Sequence, residues 1–210
     1  VVFFTIAIWL SGFLGKNPQA ANQIALNLSS MTYMFALGFG AVAMIRVGNQ
    51  KGKQNFRELR RVAYSIFILI ILIDIFFCIF FIASNRYLPW IYLNADQSIY
   101  DSDILTVVGL ASKLLLVSGF FQIFDGMQAV VLGALRGVQD VNIPALFTFV
   151  AYGIIGLPVC YVLGLHTSLG VVGIWIGLLS GLAASCILLF LRFQYLIKKL
   201  IFLNRTHGAT

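Results

Sequence analysis

Residues Val62–Ala83 read VAYSIFILIILIDIFFCIFFIA, an apolar run whose interior is interrupted only by Ser65 and Asp74. A helix needs about 20 apolar residues to cross a hydrocarbon core of roughly 30 Å, and this run supplies them. Periodicity does not separate a buried helix from a buried strand here, but length does, and it favours helix. Upstream of it lie Val1–Leu14, short for a crossing, and Ala20–Ile45, divided by the turn Gly15-Lys16-Asn17-Pro18. Downstream lie Ile104–Leu135, Ile143–Leu163 and Gly170–Leu191. The first of these three is longer than a bilayer requires and is expected to tilt, kink or protrude. The fold class predicted is all-α: a polytopic membrane protein built as a six-helix transmembrane bundle.

Composition leaves little room for another class. Hydrophobic residues make up 60% of the chain and charged residues 10%, with a mean hydropathy of +0.97. A soluble core of this size needs far more polar surface. The chain opens on VVFFTIAIWL, without an initiator Met or a basic segment before it. This is not the pattern of a signal peptide; it reads as a helix entered partway, so the chain is expected to be a fragment with its first helix incomplete.

The net charge of +7 is distributed unevenly. Arg46, Lys51, Lys53, Arg57, Arg60 and Arg61 lie between the second and third segments, Arg136 between the fourth and fifth. Arg192, Lys198, Lys199 and Arg205 follow the sixth. The alternate connections hold only Lys16 and Arg86, the latter near Asp96, Asp101 and Asp103. The positive-inside rule places the basic loops and the C-terminus in the cytoplasm, as a multi-pass protein of a cytoplasmic or inner membrane. The basic loop is then a topology determinant in contact with membrane lipid, and no nucleic acid is implied. Pro89, Trp90 and Tyr92 sit where an outer-interface aromatic anchor belongs.

Small residues indicate how the helices meet. Gly173, Gly177, Gly181 and Ser185 recur every four positions on the sixth segment, and Ala129, Gly133 and Gly137 do so on the fourth. Such stripes let backbones approach closely in lipid. Beyond Arg192, Phe193, Leu196, Ile197, Leu200 and Ile201 keep helical spacing, which implies an interfacial or protruding helix before a tail at 204–210. Cys78, Cys160 and Cys186 each lie in an apolar run and read as buried small hydrophobes. His166 and His207 read as isolated surface histidines. No nucleotide loop or nucleophile–base constellation is present, so an enzyme is not predicted.

Three ionisable residues fall within the spans: Asp74, Lys113 and Asp125. Such groups are costly at bilayer depth and mark ion or substrate pathways. Asp125 is flanked by Gln122 and Gln128 at three residues on either side, which gives one helical flank several oxygen ligands. Oxygen ligands around a carboxylate suit a hard cation or an exchangeable proton. A structural Asp bonded to a neighbouring helix is the alternative. Asp74 and Lys113 are a possible intramembrane pair, since counted from the outer helix ends they are equally deep. Counted from the inner ends they are not, and then Lys113 snorkels outward while Asp74 joins the polar interior.

Several patches together resemble the multidrug and toxic compound extrusion (MATE) family, in its NorM-like branch. They are residues 20–27 (AANQIALN) and 45–49 (IRVGN), residues 121–128 (FQIFDGMQ) and residues 132–140 (LGALRGVQD). Tyr152, Gly156-Leu157-Pro158, Tyr161, Gly170, Gly173, Trp175 and Gly177 complete the set. The resemblance implies a twelve-helix transporter of two six-helix lobes, with residues 1–203 as the C-terminal lobe. Its partner would be the N-terminal six-helix lobe. It also implies an antiporter in which sodium or protons drive export of cationic or amphipathic drug-like molecules by alternating access, without a cofactor beyond the coupling ion. Asp125, with Gln122 and Gln128, then falls on the cation- or proton-coupling site, and no metal site is implied.

The family pattern places a further acid just upstream of Val1. It often has His where this chain has Asn22, and Pro where it has Ala36. Substrate-cavity candidates are Asn22, Asn27, Met31, Met34 and Tyr152; Met and aromatic side chains suit poorly defined apolar cations. One rival is a flippase for lipid-linked oligosaccharides or peptidoglycan precursors, which should line its cavity with basic residues. Lys113 alone lies well inside a span. A membrane-embedded assembly subunit without transport is the other.

Overall fold

The computed structural model describes residues 2–92 and 102–207, so the expectations for Asp96, Asp101 and residues 208–210, and for the side chains of Arg205 and His207, lie outside the described residues. Six helices follow in order: α1 (Val2–Phe13), α2 (Lys16–Gly52), α3 (Phe56–Ser84), α4 (Ser102–Gly137), α5 (Asn142–Leu165) and α6 (Val171–His207). A 3-10 turn, Leu88–Tyr92, follows α3. Among the described residues no strand occurs, and 5 helices are long and apolar enough to cross a membrane. The all-helical multi-span fold expected from the sequence is the one observed. α1, with 12 residues, is too short to cross by itself.

α2, α4 and α6, with 37, 36 and 37 residues, exceed the hydrocarbon core by the widest margin. At 1.5 Å per residue, the 37 residues of α2 extend roughly 55 Å, well beyond a core of roughly 30 Å. The basic ends are therefore structural as well as electrostatic. Lys51, read above as a topology determinant, donates to Val138 O and Gln139 Oε1, both at 2.8 Å, and so caps the end of α4. Arg192 pairs with Asp140 at 2.8 Å and ties the same turn to α6. Asn55 caps α3 by accepting from the Glu58 N–H at 3.2 Å. α6 continues past the expected boundary at residue 203 to His207. Phe193 and Ile197 on this extension are buried, with the Phe193 ring 5.3 Å from that of Phe67. The extension is thus a protruding helix packed on α3.

α5 departs from a regular helix. Between Ala151 and Gly156 it widens to a π turn, with the Leu157 N–H donating to Tyr152 O. Pro158 explains the place: it has no N–H and its ring clashes with the carbonyl four residues earlier. A wider turn ahead of it relieves both problems.

α4 is the central rod. Its numbering and that of α2 rise together: Ser29 meets Ser118 at 2.5 Å, Gly40 meets Ala129, and Gly48 meets Gly137. The two helices are therefore parallel and almost backbone to backbone. A Cβ added at Gly133 would overlap the carbonyl of Gly40, and one at Gly137 would lie 2.6 Å from Met44 O. The second expected stripe also forms a seam, with Gly173, Gly177 and Gly181 against Leu163, Cys160 and Gly156 of α5. Cys78, Cys160 and Cys186 are free and buried.

The buried apolar side chains fall into two clusters. One gathers Ala21–Leu28, Phe81, Val107–Phe121 and Val171–Leu182 toward one end of the lobe. The other gathers Ala36–Val47, Leu59–Ile70, Val130–Val138 and Leu189–Ile197 toward the opposite end. Between them lies a layer of buried polar groups: Thr32, Asp74, Ser118, Gln122, Gln128 and Ser185. Large apolar side chains such as Ile68, Leu72, Phe76 and Ile79 face outward, as lipid requires.

Gly133→Leu should separate α2 from α4 and lower the thermal stability of the complete protein by at least the roughly 1–3 kcal/mol usual for an overpacked core. Gly109→Leu on the same helix, where nothing lies within 4 Å of an added Cβ, should leave the melting curve in detergent unchanged.

Candidate functional site

The polar layer is held by four helices meeting around the middle of α4. Gln128 turns away from Asp125. Its amide donates to Ser185 Oγ on α6 at 3.0 Å and accepts from the Tyr152 hydroxyl on α5 at 3.3 Å. Ser185 continues the chain to Thr148 at 3.4 Å. Gln128 and Tyr152, expected as a coupling ligand and a cavity residue, are instead joined to each other in an interhelical network. Tyr152 sits in the π turn of α5, so the widened backbone helps aim its hydroxyl.

Gln122 and Gly126 lie on the other flank of α4, turned toward α3. Gln122 is 5% exposed and neither of its amide atoms makes a hydrogen bond. Gly126 receives the carboxylate of Asp74, whose Oδ1 would be 2.8 Å from a Cβ at that position. Asp74 is therefore seated on α4 beside Asp125. The structure does not bring Asp74 to Lys113, which is exposed and roughly 20 Å back along α4 at 1.5 Å per residue. Depth counted from the basic ends of the two helices matches this placement, and depth counted from their other ends does not.

Asp125 stands between these flanks. It is half-buried and, among the described residues, makes no hydrogen bond or ion pair. The register set by Ser29–Ser118 and Gly40–Ala129 places it opposite Ala36 of α2, whose small side chain is buried there. Asp74 of α3 sits on the adjoining Gly126, and the same register sets Tyr33 of α2 one turn away, opposite Gln122. The two ion pairs among the described residues, Arg61–Glu58 and Arg192–Asp140, are both elsewhere. What results is a carboxyl at mid-span beside a second buried carboxyl, with no positive partner among the described residues. Such a group can take up and release a proton or a hard cation.

The remaining candidates separate. Asn22 is 5% exposed, accepts from Trp175 Nε1 at 2.8 Å and donates to Ser11 Oγ at 3.3 Å, so it fastens α1, α2 and α6. Asn27 accepts from Gln23 at 3.3 Å. It lines a 500 Å³ cavity at the end of the lobe with Lys16, Asn17, Tyr92 and Asp103, away from Asp125. Met31 and Met34 are 63% and 71% exposed. Met34 borders a 420 Å³ apolar hollow with Phe35, Phe39 and Val42 on the side of α2 opposite α4. Thr148, Ser118 and Ser29 were not foreseen. Single hydroxyls in apolar runs carry no signal of which neighbour they will meet. Gly126 beside an acid was the one hint available.

The MatE family model matches residues 1–162. The probable multidrug resistance protein NorM of Agrobacterium fabrum is 34% identical over 199 residues, covering 95% of this chain and 42% of that protein. The corresponding protein of Bacillus subtilis is 39% identical over 198 residues, 94% of this chain and 42% of that one. Multidrug resistance protein MdtK of Proteus mirabilis is 34% identical over 200 residues, 93% and 42%. The chain thus spans 42% of the length of each of these curated relatives.

Solved structures share the fold. The eukaryotic MATE transporter AtDTX14 superposes with a TM-score of 0.81 at 22% identity, covering 94% of this chain and 44% of that one. A multidrug resistance MATE family transporter of the MOP superfamily in its outward-facing conformation gives 0.80 at 17%, covering 95% and 42%. An inward-facing conformation gives 0.80 at 18%, covering 94% and 43%. The chain is an integral, multi-pass membrane protein.

Structural and chemical roles in the layer are separable by mutation. Gln128→Leu strips Tyr152 and Ser185 of a shared partner and should cost about 1–3 kcal/mol in thermal unfolding of the complete protein. Asp125→Asn removes no hydrogen bond or ion pair and should leave the unfolding transition at or above the wild-type temperature.

Proposed function

Because this chain belongs to the MatE family, we propose that it is the C-terminal six-helix lobe of a cation-coupled multidrug efflux antiporter. Its partner on this reading is the N-terminal six-helix lobe of the same transporter. Substrates on this reading are cationic or amphipathic drug-like molecules; the names of the NorM and MdtK relatives, multidrug resistance proteins, support drugs as the class. The coupling ion is sodium or a proton, and no other cofactor takes part. The observation that carries the proposal is Asp125: half-buried at mid-span, next to the Gly126 seat of Asp74 and one turn from Gln128, and without an ion pair among the described residues.

The mechanism follows from that carboxyl. An ionised Asp125 attracts a cation or proton entering from the side of the membrane where the ion is abundant. Neutralising it changes which arrangement of the two lobes is lower in free energy, and that differential is what moves the equilibrium. The exposed Met31, Met34 and Phe35 of α2 offer the soft apolar surface that such substrates need. Orientation with the basic loops and C-terminus in the cytoplasm follows the positive-inside rule.

The complete transporter, reconstituted in liposomes under an imposed sodium or proton gradient, tests this. Asp125→Asn should lower gradient-driven export by about tenfold or more while drug binding persists, since a positioned proton- or ion-carrying group contributes at least that much. Export with unchanged ion dependence would contradict the proposal. Flux of lipid-linked pyrophosphates in place of drugs would transfer the chain to the flippases, and no flux at all would make it an assembly subunit.

A further inference from the structure

Asp74 is a carboxyl that the coupling reading does not use. It is 4% exposed, its Oδ2 makes no hydrogen bond, and it is pressed so closely onto the backbone of Gly126 that a Cβ there would come within 2.7 Å of its Cγ. One turn away, Gln122 is 5% exposed with both amide atoms unpartnered. Two buried polar side chains, from α3 and α4, thus face the same small region without satisfying each other. Unpaired buried polar groups in an otherwise well-bonded layer need an explanation. No cationic side chain among the described residues pairs with either of them. The form of Asp74 that this seat accommodates is the neutral acid, with one O–H to donate.

We propose that Asp74 is a second proton-carrying carboxyl of the site, sharing a proton with Asp125, while the Gln122 amide, itself unchanged, is placed to accept from the protonated acid and donate to the ionised one. The inference rests on the reading of Asp125 as the coupling group. Gly126, which seats Asp74, directly follows Asp125. Gln122 stands four residues before Gly126 and three before Asp125, so its amide is one helical turn from both acids and carries both a donor and an acceptor. The ionisable groups facing the pair are Tyr33 from α2, Tyr152 from α5 and Cys78 on α3 itself. Cys186 of α6 lies beyond, beside Tyr152.

At rest Asp74 holds one proton and Asp125 is ionised. Transfer converts Asp74–COOH and Asp125–COO⁻ into Asp74–COO⁻ and Asp125–COOH, with the net charge of −1 unchanged. A second proton taken from water neutralises the pair, and its release on the other side restores the first state. Asp74 therefore lets two acids lie side by side with a single charge between them.

Infrared spectroscopy and gradient-driven export of the complete, reconstituted transporter test this together. At neutral pH the wild type should show the carbonyl stretch of a protonated carboxyl that is lost in Asp74→Asn and kept in Asp125→Asn. Asp74→Asn should also slow proton-driven export by about tenfold with substrate affinity retained. Gln122→Leu keeps both acids and should slow export while leaving the band, shifted in frequency, so the proposal stays testable should Asp74→Asn fail to fold. A band that survives in Asp74→Asn, or export by Asp74→Asn or Gln122→Leu that matches wild type, overturns it. An Asp125→Asn protein that still couples defeats the underlying reading. One that uncouples beside an Asp74→Asn protein that behaves as wild type defeats only this proposal.

Discussion

Helices within lipid gain nothing from the hydrophobic effect when they meet, because acyl chains are as apolar as the side chains they would replace. Association must come from close backbone contact and from polar groups that find each other. This lobe uses both. α2 and α4 run parallel with Gly40 against Gly133 and Gly48 against Gly137, and α6 lies on α5 along Gly173, Gly177 and Gly181. The polar layer adds Ser29 to Ser118, Gln128 to Ser185 and Tyr152 to Gln128. Ser29–Ser118 reinforces the α2–α4 seam, while the Gln128 bonds join α4 to α5 and α6, where no glycine seam runs.

That division of labour makes the exceptions informative. Within a layer where Ser118, Gln128 and Ser185 bond across helices and Thr32 bonds to Ser29 O on its own helix, Asp125, Asp74 and Gln122 lack hydrogen-bond partners among the described residues. They share one stretch of α4 and the facing turn of α3. A carboxyl retained at this depth without a counter-charge contributes nothing to holding the bundle together, and so the energetic case for a chemical role is strongest there. Gln128, by contrast, carries structural hydrogen bonds, although it lies as close to Asp125 in sequence as Gln122 does.

The basic residues show the same overlap of roles. Lys51 and Arg192 belong to the positively charged ends of the helices, yet both close on the α4–α5 turn, at Val138 O and at Asp140. Charge distribution along the sequence sets sidedness. It does not say which of many cations will also bind a carbonyl, since that depends on helices brought together from distant parts of the chain.

The sequence alone determined the class, the helix positions and the packing stripes, because length, hydropathy and four-residue repeats are local properties that hydrocarbon imposes directly. It also singled out Asp125 by the cost of its burial. Tertiary structure alone decided which acids are neighbours. Asp74 meets Gly126 and not Lys113, and Asn22 is consumed by Trp175 and Ser11. The register between two helices is fixed by where their backbones can touch, and that information resides in pairs of small residues rather than in either segment by itself.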